Sequence, residues 1–430
     1  MNSTGTVARD WSRLPEDLLL IAMAAMEVPD VVRSGAVCSS WHAAYGTFRC
    51  LRLSTPKQPP CLFYACHGYG ADAAALYSPS GNATFRVGFP DLGRHTIHGS
   101  AHGWLFITDE AANPHLLNPL TGARAALPPA STFERVKRSF SGNDGGVRYS
   151  VDIGFSKGAA DICHISARKA MYYLYQQVAI SSPAAAACVV LVVHRPCGAL
   201  SFARTGDERW TTVSVQDPLN HADEDFGFII SAVHNDRDGL FYVMVETGAV
   251  HALDLGSPRR LVARSKVLVL PPTTVFWPDP QDIHYLVFTG CSDLLLVTRR
   301  RRTTWAEDYS NKARRRVEYS VATTDVWVDK VDVDRQMLVR LTGVGDNVLF
   351  LGRNNSPLCL PTSDYPMLSG DSAYLTTDHD DSFDPPIRRQ DVGVFDLGSS
   401  TMRKLGDVWD ALPHGGAPQV KDTRELRERT

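Results

Sequence analysis

Two hydrophobic patterns divide the chain. Between Trp11 and Tyr45 the apolar residues recur at three- and four-residue spacings, which is typical of amphipathic helices. From residue 61 onward, short apolar runs alternate with Gly, Pro, Asn and Asp turns, which indicates short β-strands. The chain is therefore predicted to contain a small all-α segment followed by a large all-β region.

The helical segment is predicted to hold three helices. Pro15, followed by two acidic residues, marks the first start, because proline and negative charge are both tolerated in a first helical turn. Pro29 marks the second start, and Ser39 or Ser40 is expected to cap the third helix. Three short helices bury little of their own surface. They form either a cap on the following domain or a docking module whose apolar face a partner completes.

The β region contains a loose repeat of six units. The units are Cys61–Pro90, Gly99–Pro129, Val151–Val215, one ending at Leu255, one ending at Leu341, and Asn347–Leu405. Radial repetition of units with three or four strands is typical of a β-propeller of six or seven blades. A pair of β-sandwiches is the alternative. No Pro-rich linker divides the chain after residue 60, which favours the propeller.

Composition changes this picture little. The 430 residues carry a formal net charge of -3, which gives no reason to expect nucleic acid or anionic membrane as a partner. The longest apolar run, Ala184–Val193, is too short to span a bilayer, and the first residues contain no apolar signal segment. Nine cysteines without a CxxC pair indicate free thiols in a reducing compartment, so cytoplasm and/or nucleus is the expected location.

No catalytic motif stands out. The sequence has no P-loop, GxGxxG, GxSxG or HExxH, and the protein is expected to be non-enzymatic and without a cofactor. His95, His98 and His102 lie close together in the sequence, with Cys61, Cys66 and His67 as further candidate ligands, but no metal site is expected from them. The acidic run 378–381 lacks the alternate spacing of a calcium loop and is interpreted as a solvated turn.

The strongest charge feature is a split basic cluster. It comprises Arg299, Arg300, Arg301, Arg302, Lys312, Arg314, Arg315 and Arg316. The cluster is predicted to lie in a long hairpin loop. It is interpreted as a solvated loop tip or, functionally, as a nuclear-import signal or a patch that binds an acidic partner.

The helical segment resembles an F-box. The residues that carry the resemblance are Leu14-Pro15, Asp17, Leu18-Leu19, Asp30, Arg33 and Val37-Cys38-Ser39-Ser40-Trp41. The usual Ile-Phe pair of the first helix is Ala22-Met23 here, and the loss of branched bulk at Ala22 is expected to weaken binding by about 1 kcal/mol. The resemblance implies that the segment binds a Skp-type adaptor through Leu14, Pro15, Leu18, Leu19, Val37, Cys38 and Trp41.

The β region resembles the plant family called domain of unknown function 295, the KIB-type β-propeller. Gly103-Trp104-Leu105, Leu117-Asn118-Pro119 and Leu127-Pro128-Pro129 match its opening. Leu349–Asn354, Ala373–Thr377 and Val392–Leu397 match its C-terminal signature. The predicted domains are a disordered lead (1–10), the F-box (11–50), a stiff proline-containing linker (51–60), the propeller (61–410) and a polar tail (411–430).

Together the two resemblances imply a substrate receptor of an SCF-type cullin-RING ubiquitin ligase. The Skp-type adaptor would connect the chain to cullin and RING protein, and the propeller would recruit a protein substrate. Two alternatives remain open at this stage. One is a propeller enzyme or a small-molecule- or glycan-binding protein in which the helices are only structural, and the other is an interaction scaffold that needs no adaptor.

Overall fold

Strands dominate the structure, with a few helices at its N-terminal end. This computed structural model describes residues 10–51, 60–65, 69, 72–79, 81–89, 94–119, 121–140, 146–154, 161–195, 198–215, 228–255, 264–269, 282–308, 316–352, 356–376 and 392–404. The predicted lead lies outside these residues except for Asp10, the linker except for Leu51 and Pro60, and the tail entirely. Within them, no helix has the length and apolarity needed to cross a bilayer.

The three predicted N-terminal helices are confirmed. A short 3-10 turn at Trp11–Arg13 precedes α1 (Glu16–Ala24), α2 (Val28–Ser34) and α3 (Ser39–Leu51). Glu16 and Asp17 occupy the first turn of α1, where negative charge interacts favourably with the helix dipole. The predicted serine cap of α3 is wrong, because Cys38 takes that position and its carbonyl accepts the first helical hydrogen bond from His42 N at 2.8 Å.

The described strands form seven sheets, named A to G in chain order. Sheet A contains β1 (Leu62–Ala65), β2 (Ala73–Ser78) and β3 (Ala83–Gly88). Sheet B contains β4 (Thr96–Ala101), β5 (Trp104–Thr108), β6 (Pro114–Leu117) and β7 (Arg124–Ala126). Sheet C contains β8 (Val136–Phe140), β9 (Val147–Asp152) and β10 (Ile162–Ser166), followed by the helix α4 (Ala167–Tyr173).

The remaining four sheets follow in the same order. Sheet D contains β11 (Tyr175–Ile180), β12 (Val189–His194), β13 (Ala199–Arg204) and β14 (Thr211–Val213). Sheet E contains β15 (Ile229–His234), β16 (Phe241–Val245), β17 (Val250–Asp254) and β18 (Arg264–Val269). Sheet F contains β19 (Asp282–Phe288), β20 (Leu294–Asp308), β21 (Arg316–Asp332) and β22 (Met337–Arg340). Sheet G contains β23 (Asn347–Leu351), β24 (Leu358–Pro361), β25 (Ser372–Leu375), β26 (Gly393–Asp396) and β27 (Thr401–Lys404).

Sequential strands pair antiparallel in every sheet, with one exception. In sheet G, β23 pairs with β25 in parallel, so the order there is β24-β23-β25-β26-β27. Five of the six predicted repeat units correspond to sheets A, B, E, F and G. The third unit is wrong, since Val151–Val215 combines the end of sheet C with all of sheet D.

The core lies between the sheets. Strand β12 shows why, because its alternate side chains point to opposite faces. Val190 and Val192 share a hydrophobic cluster with sheets B and C, whereas Leu191 and Val193 share another with sheet E. A strand buried on both faces is therefore apolar at nearly every position, as residues 189–193 of β12 are, and this explains the long apolar run in the sequence at this point.

The same two-faced packing links the sheets in series. Clusters shared by successive sheets include Ala74 with Ile107 (A and B), Met244 with Leu286 (E and F), Val297 with Leu349 (F and G), and Val348 with Tyr77 (G and A). Sheets B and D also touch directly, since a Cβ on Gly99 would lie only 2.9 Å from the Cβ of Val178. Sheet C and α4 contribute residues to the hydrophobic cluster between sheets B and D, but they do not separate β4 from β11.

Buried histidines make the fold sensitive to acid. The ring of His194 stacks on Phe133 at 4.2 Å, and its Nε2 lies 2.9 Å from Ser201 Oγ. Burial lowers the pKa of His194 to about 4, and burial likewise lowers the pKa of His284 to about 4. In the unfolded chain a histidine titrates near pH 6.5. The unfolded state therefore takes up protons between about pH 6.5 and 4 that the folded state does not.

We expect the free energy of unfolding to fall as the pH decreases from about 6.5 towards 4. One histidine with this pKa shift contributes about 2 kcal/mol to the loss between pH 6.5 and pH 5. The variant His194→Asn should be less stable at pH 7 but should lose about 2 kcal/mol less than the wild type on acidification to pH 5. Urea unfolding at the two pH values measures this difference, and equal losses in both proteins would refute the assignment.

Candidate functional site

The N-terminal helices enclose a small hydrophobic core of their own. Its buried members are Leu19, Met23, Val31, Ala44 and Phe48. Leu14, Trp41 and Tyr45 pack against this core and are partly buried. Gly35 lets the ring of Tyr45 approach closely, because a Cβ at Gly35 would lie 2.6 Å from the Tyr45 Cδ1. The module therefore has a hydrophobic core of its own, and its exposed apolar side chains lie outside that core.

Five large apolar side chains of the module face solvent. One of them, Leu51 (57% exposed), ends α3, and the other four precede that helix in the sequence. Leu18 is 48% exposed and Ile21 is 67% exposed, and their three-residue spacing places them on one face of α1. Val37, in the turn before α3, is 64% exposed, and Trp11 is 60% exposed. We call these four residues the apolar surface of the module. Leaving this much apolar area in water is unfavourable for a module of this size, which makes the surface a candidate docking site.

Hydrogen bonds hold the apolar surface in place. Trp41 Nε1 donates to the carbonyl of Trp11 at 3.2 Å, and Ser40 Oγ donates to the carbonyl of Ser12 at 2.8 Å. These two bonds attach the 3-10 turn at Trp11–Arg13 to the start of α3. Thr47 Oγ1 donates to Glu16 Oε1 at 2.6 Å and joins α1 to α3. The backbone that carries Trp11 is thus fixed beside the turn that carries Val37.

The seven predicted adaptor-binding residues separate into three groups. The exposed ones are Pro15, Leu18 and Val37, the partly buried ones are Leu14, Cys38 and Trp41, and the buried one is Leu19. Leu19 is 1% exposed and belongs to the core of the module. The hydrogen bond from the backbone N–H of Trp41 lowers the pKa of the Cys38 thiol, in keeping with its capping position.

Sequence reasoning missed two residues of the apolar surface. Trp11 was assigned no role beyond opening the segment, although a tryptophan directly after a short polar lead is a visible signal. Ile21 lies three residues after Leu18, so helical spacing could have identified it. Ala22, where the F-box pattern has a branched residue, is partly buried, and Met23 fills the core with no exposed area.

The module also contacts the β region. The guanidinium of Arg33 lies over the ring of Phe85 in β3, 4.1 Å from its centroid, and pairs with Asp30 at 3.3 Å. Arg49 of α3 approaches the turn after β6, where a Cβ on Gly122 would lie 3.6 Å from an Arg49 terminal nitrogen. The helical module therefore packs against sheets A and B.

The basic cluster is arranged differently from the prediction. Arg299–Arg302 lie within β20 and not in a loop, and strand pairing with β21 continues to Asp308. Arg299 has no exposed area, and it donates from Nε to Thr323 Oγ1 and from Nη1 to the Thr376 carbonyl, both at 2.8 Å. Arg299 therefore cannot belong to a surface patch.

The other members of the basic cluster have varied positions. Arg300 forms two 3.0 Å hydrogen bonds with Asp282 and stacks over Trp327. Arg301 is partly buried and Arg302 is exposed. Lys312, Arg314 and Arg315 lie outside the described residues, as does the acidic run 378–381, and the side chain of Arg316 is not described.

The predicted histidine group is dispersed. His95 packs edge-on against His115, and His98 Nε2 lies 3.0 Å from Thr108 Oγ1. His102 instead approaches His234 and Asp236 of sheet E. Burial raises the pKa of the Cys61 thiol to about 12, which keeps it protonated. Cys66 and His67 lie outside the described residues.

Comparisons with known proteins agree with this architecture. The family model of the KIB1-4 β-propeller matches residues 76–396. Three relatives from Arabidopsis thaliana illustrate the similarity. F-box only protein 7 is 29% identical over 28% of this chain and 29% of its own length. F-box protein KIB2 is 26% identical over 29% of this chain and 30% of its own length. F-box protein SKIP23 is 23% identical over 91% of this chain and 90% of its own length. The chain thus covers less than a third of the length of the first two relatives and most of the third.

Proposed function

The chain belongs to the KIB1-4 β-propeller family and is related to plant F-box proteins, and from this premise we propose that it is a substrate-recognition subunit of an SCF-type cullin-RING ubiquitin ligase. The helical module binds a Skp-type adaptor, and the adaptor connects the chain to cullin and RING protein. The propeller recruits a protein substrate. The chain itself makes and breaks no bonds.

The apolar surface of the module carries this proposal. The module has its own core, and yet Leu18, Ile21, Val37 and Trp11 are left in solvent. An exposed apolar helix face of this kind is suited to docking into a complementary apolar groove of a partner. Covering these side chains on adaptor binding supplies the driving force for the complex.

We assign the β region six blades. Sheets A, B, D, E, F and G follow one another through shared hydrophobic clusters, and the cluster of Val348 with Tyr77 returns from G to A. Sheet C with α4 is an insertion between blades B and D, because β4 and β11 already meet at Gly99 and Val178. The predicted domain boundaries, 11–50 for the F-box and 61–410 for the propeller, are retained as part of this proposal.

The packing of the module against sheets A and B sets the orientation of the adaptor-binding surface relative to the propeller. The contacts of Arg33 with Phe85 and of Arg49 with the Gly122 turn hold the adaptor-binding surface at a fixed orientation to the propeller. A fixed orientation keeps a bound substrate near the ubiquitin-charged enzyme and raises the effective concentration of its lysines. We place this activity in the cytoplasm and/or the nucleus.

Capture from plant cells tests the proposal. The tagged full-length chain should co-purify with a Skp-type adaptor and with cullin. When Leu18 and Ile21 are both changed to serine, the adaptor and cullin should be lost, while substrates should be retained and accumulate. Recovery of the folded chain without adaptor or cullin would contradict the proposed function, and unchanged recovery with the double variant would contradict the assigned surface.

A further inference from the structure

The β4–β5 turn of sheet B and the end of β15 in sheet E bring together three side chains of the types that ligate metals. His102 Nε2 lies 3.5 Å from Asp236 Oδ1, and His234 Nδ1 lies 2.9 Å from the same oxygen. One ligand atom from each of the three side chains lies within 4.8 Å of the other two. Among the residues that the structure describes, these three are the His, Cys, Asp or Glu side chains whose ligand atoms lie this close together.

The distances suit a small transition-metal ion. Zinc binds imidazole nitrogen and carboxylate oxygen at about 2.0–2.1 Å, so the ligands of a tetrahedral site are about 3.3–3.4 Å apart. The two measured separations, 2.9 and 3.5 Å, bracket this value. Two imidazoles with one carboxylate favour zinc and its first-row neighbours, whereas calcium and magnesium prefer oxygen ligands throughout.

The backbone around each ligand is already constrained. His102 and Gly103 form the two-residue turn between β4 and β5, with φ values of 52° and 79°. Such a turn requires positive φ at both central positions, and glycine or asparagine is the usual choice at the first. His234 ends β15, and its ring packs against Phe241 at 4.8 Å. The backbone of His102 is therefore fixed by a tight turn, and the ring of His234 is held by Phe241 of β16.

The loop that carries Asp236 is also fixed. Asn235 N donates to Leu240 O at 3.0 Å, and Asn235 Nδ2 donates to Asp238 Oδ2 at 2.9 Å. Arg237 reaches away from the cluster and donates to the Gly290 carbonyl. The side chain of Asp236 is 67% exposed, so an ion bound here is reachable from solvent. A ligand set that is preorganised and accessible loses little entropy on binding an ion.

We propose that His102, His234 and Asp236 form a binding site for a divalent transition-metal ion, with Zn²⁺ as the probe ion. The three side chains supply three ligands, and the fourth position is open to water or to a donor atom of a docked molecule. The ion connects the β4–β5 turn of sheet B to the β15–β16 turn of sheet E. This proposal is independent of adaptor binding.

Zinc titration of the full-length chain, stripped of metal with a chelator, tests the site. We expect one tightly bound Zn²⁺ per chain by elemental analysis after gel filtration, together with a rise in the unfolding temperature on zinc addition. Asp236→Asn and His102→Ala should each weaken zinc affinity at least about tenfold. Asp236→Asn alters an exposed side chain, so its metal-free unfolding temperature should match that of the wild type.

A matched control separates this site from adventitious binding. His164 is an exposed histidine in β10, and His164→Ala should bind zinc as the wild type does. The exposed thiols of Cys50 and Cys291 are present in every variant, so zinc bound by them does not distinguish the proteins. Absence of stoichiometric zinc in the wild type, or equal affinity in Asp236→Asn, would overturn the proposal and leave a histidine–aspartate hydrogen bond only.

Discussion

Changing Leu18 and Ile21 together to serine is expected to lower the affinity for a Skp-type adaptor at least about tenfold. Fully burying an exposed side chain of this size contributes about 1.5–3 kcal/mol, the adaptor can bury only the half to two-thirds of each that is exposed, and 1.4 kcal/mol corresponds to a factor of ten in affinity. The two residues share one face of α1, so an adaptor groove that covers one also covers the other. The effect is measured by titration calorimetry with the purified adaptor.

The double variant should fold as the wild type does. Leu18 and Ile21 contribute little to the core of the module, because they are 48% and 67% exposed. Serine is a weaker helix former than leucine, so a small drop in unfolding temperature is expected and no more. Leu19→Ser is unsuitable for the same test, since Leu19 is buried and its loss would disrupt the module.

Met367 offers a matched control for the double variant. It is 71% exposed and lies in the segment between β24 and β25 of sheet G, outside the module. Met367→Ser therefore removes exposed apolar area without touching the proposed adaptor surface. We expect its adaptor affinity to equal that of the wild type. Equal affinities of all three proteins would show that α1 is not the docking face.

Arg299→Ala is expected to destabilise the fold by about 3–5 kcal/mol. The buried guanidinium of Arg299 joins β20 to Thr323 of β21 and to the Thr376 carbonyl that follows β25, so it connects sheets F and G. Removing it opens a cavity and deprives two partly buried oxygens of these donors. The midpoint of urea unfolding measures the effect. Arg299→Met keeps most of the volume and should cost less than Arg299→Ala.

Arg302 supplies the control within the same strand. Its side chain is exposed, and Arg302→Ala should change the free energy of unfolding by no more than about 0.5 kcal/mol. If Arg299→Ala were as stable as Arg302→Ala, the connection between sheets F and G would not depend on this side chain.

Local sequence signals predicted where helices and strands lie better than they predicted which of their side chains are buried. Pro15 and Pro29 identified the starts of two helices, because proline restricts the backbone wherever it occurs. Helical spacing indicated which residues share a broad face, but it could not say which part of that face is covered. Leu18 and Leu19 are adjacent in sequence, and only the packing of α3 against α1 makes Leu19 a core residue.

Long-range contacts explain the sequence predictions that were wrong. The run of arginines has the composition of a polar loop, but Arg299 is buried and donates a hydrogen bond to a carbonyl 77 residues away in the sequence. Sheet C was missed because β8 and β10 mix polar and apolar residues and lack a clear run. The approach of His102 to Asp236 likewise depends on two turns from different sheets. Sequence spacing carries no signal for such contacts.

The central claim is that the helical module is an adaptor-docking surface, and direct titration of the purified full-length chain with a purified Skp-type adaptor tests it most directly. We expect saturable binding of one adaptor per chain, with a negative heat-capacity change from burial of the apolar surface. No binding by the folded wild-type chain would contradict the claim.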